Sequence, residues 1–333
     1  MPRPDPRVPA LDGKTNPFAD VAARPLPENV VPLADAYDER IADRDRTLWH
    51  WFHRIEPEFR LSCVEAERTR RACEAKILAM MFITVADDVA ERYGDRATFA
   101  ELRNVPFEHQ HADPTRDDVD GEYVRFQSDL WSQFLELYDA GARADEFADL
   151  LRFDLRQALQ AVDYSALLAH HPGLASEREL WTYDAHNMLV FVFATIDLAN
   201  APAFDSTDLS AVRRVVARCQ RMARIGNWIA TWERELAEGD YSSGVVVRAF
   251  ETDLLSVDEL RAIRTRSSET PIEPIVTKIR ESGIEEYFVD RWRSEYTEAA
   301  QFIDEIDSVD IGAYLEGFET VFRAQLAKGT SGS

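Results

Sequence analysis

An all-α protein with a single folded domain is what this 333-residue chain predicts. Three observations carry the prediction. Eight of the 15 prolines fall in residues 1–32, and beyond them helical periodicity takes over. The only β-like run, Gly244, Val245, Val246 and Val247, is too short to found a sheet. No repeat of fixed period is visible, so one helical body around one core is the economical arrangement.

In chain order, residues 1–34 read as a proline-rich arm, because each proline inside a helix costs about 3 kcal/mol. The 3.6-residue pattern then predicts helices near 35–56, 60–75, 76–93, 120–140, 144–164, 176–200, 208–238, 256–284, 286–306 and 310–327. The polar stretch 104–121, with Pro106, Pro114 and Gly121, reads as a loop. The helix at 208–238 opens on Asp208 after Ser206 and Thr207, a capping pattern, and closes at Gly239, a C-terminal stop signal. The helical domain is therefore set at 35–327, with 328–333 as a disordered tail.

Charge narrows the function. With 38 Lys and Arg against 61 Asp and Glu, the formal net charge is −23. That excludes a general nucleic-acid binder, which needs clustered cations for phosphates, and it disfavours anionic membranes. Residues 1–30 lack the apolar core of a signal peptide, and the best apolar run, 188–196, is far short of a membrane span. Cys63, Cys73 and Cys219 have no metal-ligand spacing. A cytoplasmic protein without stable membrane insertion is expected, and a homodimer stays open.

Chemistry concentrates in two segments. Residues 76–92 form a nearly continuous apolar stretch that ends in Asp87, Asp88 and Glu91. At about 100° per residue, the three carboxylates share one stripe of a buried helix. The helix dipole disfavours anions at that end, and so does their mutual repulsion. A hard cation such as Mg²⁺ would offset both. In the second segment, Asn227, Thr231 and Glu235 repeat every fourth residue and also make one stripe. Amide, hydroxyl and carboxylate oxygens with one net negative charge suit a single Mg²⁺ that keeps sites for phosphate oxygens. Arg234 precedes Glu235 and can offer a cation to the same anion.

Taken together, the segments resemble the class I terpene synthase (terpene cyclase) family, of bacterial or archaeal type. Asp87-Asp88-Val89-Ala90-Glu91 is similar to its aspartate-rich DDxx(D/E) motif. Asn227, Thr231 and Glu235 are similar to its NxxxSxxxE triad, with Thr for Ser, and Glu238-Gly239-Asp240 looks like the usual trailer. The separation of 140 residues between Asp87 and Asn227 also resembles the family's, and the likeness covers most of 35–325. The resemblance implies a class I terpenoid synthase-like helical bundle. It implies Mg²⁺-dependent ionisation and cyclisation of a linear C15 or C20 prenyl diphosphate, with release of diphosphate. Three Mg²⁺ ions would be held by Asp87 and Glu91 on one side and by Asn227, Thr231 and Glu235 on the other. Asp88 would hydrogen-bond an arginine. An apolar, aromatic pocket would fold the substrate, with Phe82, Tyr183 and Trp228 among its candidate walls, beside Phe191, Trp232, Trp292 and Tyr296. His186 and Asn187 fall where the family breaks a helix.

The chain also departs from the pattern. The family's diphosphate-sensing Arg is expected near 181, which is Trp, and Trp228 replaces the common Asp after Asn227. The diphosphate donor is therefore expected among Arg178, Arg234 and the 291–293 segment, with Arg291 its first member. Two other readings stand beside the cyclase. One is a prenyl diphosphate hydrolase of the same fold, and the other is a non-catalytic helical interaction protein. Head-to-tail prenyltransferases are disfavoured by only four lysines and no second Asp-rich motif.

Overall fold

The computed structural model describes residues 24–107, 109–265 and 272–329. Most of the expected arm at 1–34, and the end of the expected tail at 328–333, lie outside them. Among the described residues there are helices and turns but no strand.

The expected helix at 35–56 is two, α1 (Val31–Arg40) and α2 (Thr47–Ile55). The break comes where Ala42 takes φ +55° and its N–H shares the Tyr37 carbonyl with that of Ile41. It leaves Arg44 held by its N–H on the Tyr37 hydroxyl at 2.8 Å. Next, α3 (Thr69–Asp87) continues into one wide π turn, Asp88–Arg92, so the expected boundary near 75 is absent. Short α4 (Arg96–Leu102) precedes α5 (Gly121–Asp139), and α6 (Ala144–His170) runs past its expected end at 164.

The expected helix at 176–200 is broken into α7 (Glu177–Thr182), a 3-10 turn at Asp184–Met188, and α8 (Val190–Ala199). The hinge residue is Leu189, at φ +60°. A break frees backbone groups that must find partners in the core. Buried Gln220 supplies them, accepting from the Phe191 N–H at 3.1 Å and donating to the Ala185 carbonyl.

Gln220 belongs to α9 (Leu209–Glu238), which ends as its sequence predicts. Gly239 takes φ +80°, and its N–H bonds the Leu236 carbonyl while the Asp240 N–H bonds that of Glu235 at 2.9 Å. This paired closure needs the left-handed residue that glycine adopts freely. The valine run at 245–247 is not β-like in the fold but helical, in α10 (Gly244–Glu251), where it is buried. Packing overrides the intrinsic strand preference of valine. Then come α11 (Val257–Thr265), α12 (Glu273–Arg280), α13 (Ile284–Ala300) and α14 (Ile311–Gly329), so the expected helix at 256–284 is divided.

Apolar on nearly every side, α3 lies at the centre, against α5, α6 and α8, while α9 packs on α8, α13 and α14. One cation sits inside this core. Lys76 of α3 is 0% exposed and bonds Glu56 at 3.0 Å and Asp197 of α8 at 2.8 Å. Arg60 pairs with the same Glu56, and the Leu61 N–H reaches Asp197 at 3.0 Å. Two cations and two carboxylates balance, which is the condition for keeping charge in an interior. Among the described residues no helix is long and apolar enough to cross a membrane.

Candidate functional site

The end of α3 does not carry one stripe of three carboxylates. The π turn widens the helix just past Asp87, and the Tyr93 N–H reaches back to the Asp88 carbonyl. Wide turns of this kind often re-aim side chains at functional sites. Here Asp88 parts from its neighbours and is clasped by Arg44, whose Nε lies 2.9 and 3.0 Å from the two carboxylate oxygens. That pair is buried on the Asp88 side, at 1% exposure. Asp87 and Glu91 instead lie within electrostatic reach of Arg224 of α9 and of Asp240. The Asp87 Oδ1 accepts from Asn187 Nδ2 at 3.3 Å, tying α3 to the helix break.

On α9, Asn227, Thr231 and Glu235 do form one stripe. The Thr231 hydroxyl donates to the Asn227 carbonyl at 2.7 Å, which leaves its oxygen lone pairs outward. Asn227 Oδ1 accepts from Arg224 Nη1 at 2.6 Å. Arg224 also grips Asp184 of the break through Nε and Nη2, at 2.6 and 2.7 Å, and Ser165 of α6 donates to that carboxylate. The Gly239 turn brings Asp240 back to the same place, its Oδ1 taking the Ser242 N–H at 2.8 Å.

Charge in this region does not balance. Asp88 has Arg44, and Asp184 has Arg224. Asp87, Glu91, Glu235 and Asp240 share only the distant pull of those guanidiniums and a 3.4 Å contact from Arg234 to Glu235. Burial pushes the Asp87 carboxyl up to about 7, with Asp88 and Asp240 adding to it against Arg44 and Arg224. Burial and then Asp240 push Glu235 up to about 7, with Arg224 opposing. Glu91 is raised well above its ordinary value by burial, then by Asp87 and Asp240. Asp240 is raised too, chiefly by burial. One oxygen each of Glu91 and Glu235, Oε1 and Oε2, is buried without any hydrogen-bond partner. Buried carboxylate oxygens of this kind are normally paired.

A hard cation fits that deficit. Asp87, Glu91, Asn227, Thr231, Glu235 and Asp240 offer only oxygen donors, and two of them have oxygens to spare. Among the described residues, no three His, Cys, Asp or Glu side chains already close on one point as a ligand set. Mg²⁺ does not demand that, since it takes one or two carboxylates and completes its shell with water and phosphate.

The other sequence-predicted site residues lie elsewhere. Arg178 is exposed on α7. Arg234 points along the surface of α9 to Glu238 at 2.7 Å. Arg291 pairs with Glu295 at 3.0 Å, its guanidinium over the Trp181 ring. Phe82 is fully buried against Trp131, and Trp228 is fully buried between Trp181 and Phe288, so both are core rather than pocket wall. Tyr183 does border a cleft of about 680 Å³ beside α6 and α7, with Tyr164, Asp163, Arg96 and His170. None of the six carboxylates of the acidic centre lines that cleft, so the two are separate features.

Three participants escape the motifs, namely Arg44, Asp184 and Arg224. Arg224 was within reach of the sequence, because it stands three residues before Asn227 and so shares its helix face. Arg44 and Asp184 come from chain breaks that periodicity does not register. No family model matches the chain, and no curated protein matches it.

Proposed function

We propose that the protein is a class I terpene synthase that ionises a linear prenyl diphosphate of C15 or C20 length with Mg²⁺ and cyclises the resulting cation. The observation that carries this reading is the gathering of four half-buried carboxylates, Asp87, Glu91, Glu235 and Asp240, around α9, with one oxygen each of Glu91 and Glu235 buried without a partner and no cation closer than Arg234 at 3.4 Å from Glu235. Such a centre is expensive in a protein interior unless cations complete it.

Asp87 and Glu91 would hold metal from the α3 side, and Asn227, Thr231 and Glu235 from the α9 side. Bound Mg²⁺ supplies Lewis-acid stabilisation of charge developing on the departing diphosphate. Arg224 would add a fixed cation beside the leaving group, held in orientation by Asp184 so that it needs no rearrangement. Arg44 would keep Asp88 ionised and out of the metal shell. Asn187 would fix the Asp87 carboxylate through its amide.

A second reading has its own support. Asn227 and Glu235 are not sealed from solvent, with the Glu235 side chain 12% exposed. Water reaching the ionised substrate would give an alcohol, as a prenyl diphosphate hydrolase does. The deciding experiment is incubation of the purified protein with C10, C15, C20 and C25 prenyl diphosphates and Mg²⁺. Released diphosphate and the mass spectrum of the extract are the readouts. Cyclic products support the synthase, linear alcohols the hydrolase, and no metal-dependent release rejects both.

A further inference from the structure

The chain that leaves Asp240 enters α10 at once. Ser243 occupies its cap position, with φ −66° and ψ 130°, and its carbonyl accepts from the Val247 N–H at 3.0 Å. The first amides of a helix have no acceptor within it. Here the N–H groups of Gly244, Val245 and Val246 also find no side-chain cap and no other backbone carbonyl. Amides of this kind normally face water. These do not, because Ser243 and Val245 are 0% exposed and Val246 is 1% exposed.

A second observation joins the first. The Ser243 hydroxyl is buried beside these amides, yet it neither caps them nor bonds to any other group. The Trp228 ring lies so close over Gly244 that an added Cβ would stand 2.5 Å from it, which covers that side of the helix end. Donors therefore gather at one helix end with no acceptor for any of them. The end also carries roughly half a positive charge from the helix dipole. The nearest carboxylate in the chain, Asp240, is occupied by the Ser242 N–H.

An anion completes such a site. Because the acidic centre adjoins it, that anion must tolerate carboxylates nearby, and one that binds them through shared cations does so. A diphosphate has both faces. We propose that the start of α10, with the Ser243 hydroxyl, receives one phosphate of the diphosphate group and acts beside Arg224 as a donor set for the leaving group. This rests on the prenyl diphosphate reading above and extends it to a substrate-binding residue outside both motifs.

The test uses inorganic diphosphate with Mg²⁺, titrated calorimetrically into the wild-type protein, Ser243→Ala and Asp87→Asn. Ser243→Ala is expected to bind diphosphate about tenfold more weakly, the usual scale for one charge-assisted hydrogen bond. Its melting temperature without ligand should be unchanged or higher, since the substitution removes a buried hydroxyl that lacks a partner. Amide ¹H–¹⁵N signals of residues 244–246 in the wild type should shift on addition of diphosphate, a readout that holds even if the variant misfolds. Unchanged affinity in Ser243→Ala, or silent amides at 244–246, overturns the α10 seat. If the wild type then still binds diphosphate and Asp87→Asn does not, the metal centre survives. If the wild type binds no diphosphate with Mg²⁺, the prenyl diphosphate reading fails and the α10 seat with it. A lower ligand-free melting temperature with unchanged affinity makes Ser243 a structural cap, which also overturns the proposal.

Discussion

Arg224 and Asp184 meet through two parallel hydrogen bonds of 2.6 and 2.7 Å, and the third edge of the guanidinium reaches Asn227. One arginine thus joins the helix break to the α9 stripe. At position 181, where the resemblance calls for an arginine, Trp181 instead donates to Glu177 at 3.1 Å and packs on Trp228. The cation that faces Asp184 comes from α9, one turn before the motif.

Removing that guanidinium should therefore have two effects. Arg224→Ala is expected to lower metal-dependent diphosphate release about a hundredfold or more, the scale of losing one preorganised charge donor. It should also destabilise the fold by about 3–5 kcal/mol, because buried Asp184 loses its partner. Arg224→Lys keeps a charge but not the planar fork, so it should recover stability better than rate. Steady-state kinetics with thermal unfolding read both. Normal turnover in Arg224→Ala would assign the donor role to another residue.

Asp87→Asn and Glu235→Gln separate function from stability in the opposite direction. Each removes a charge that no closely paired cation offsets, Arg234 reaching Glu235 only at 3.4 Å, so the metal-free variants should melt at or above the wild-type temperature. Each also removes a charged metal ligand, so turnover should fall at least about a hundredfold. A variant that keeps near-normal turnover is not missing a ligand.

The long, strongly patterned elements were legible in the sequence. The run of α9 to its Gly239 stop follows from periodicity and the C-terminal glycine, and so does its stripe of Asn227, Thr231 and Glu235, whereas Asp208 does not cap the start but accepts from Ser308. The chain breaks left no mark in periodicity, although the resemblance placed one at His186 and Asn187, inside the turn at Asp184–Met188. Ala42 and Leu189 take positive φ without being glycine, so no breaker residue announces them. Those two breaks present Arg44 to Asp88, and Asp184 and Asn187 to Arg224 and Asp87. Two of the aromatics, Phe82 and Trp228, failed for a different reason. A buried tryptophan on an apolar helix face has the same sequence signature whether it lines a cavity or fills a core, and Trp228 fills a core.

The buried cation of the core offers a control on the acidic centre. Lys76→Met would leave Glu56 and Asp197 facing one another, with only Arg60 on the Glu56 side. A loss of about 3–5 kcal/mol is expected from stranding buried charge. Because the network lies apart from Asp87 and Glu235, the metal concentration for half-maximal activity should not move at temperatures where the variant is folded. A shift in that concentration would show that the two ionic networks are coupled.

The raised carboxyls make the metal-free protein sensitive to pH in a direction that can be worked out. Asp87 and Glu235 titrate near 7 when folded, against ordinary values of 3.8 and 4.5. Between those limits the folded chain holds protons that the unfolded chain has lost. Stability is therefore fully present below the ordinary values and is lost as pH rises through about 7. His53 works the other way, since burial lowers it from 6.5 to about 4, so stability gained from it rises with pH over that range. Comparing the wild type with an Asp87→Asn, Glu235→Gln double variant cancels the His53 contribution. The melting-temperature advantage of the double variant should grow from about pH 4.5 to 7 and then level off. Mg²⁺ competes with protons for these carboxylates, so it should raise the wild-type melting temperature more at pH 8 than at pH 5 and leave the double variant nearly unmoved. An advantage that stays flat across the range, or a Mg²⁺ effect that is equal at both pH values, would mean that these carboxylates are neither strained by burial nor bound to metal.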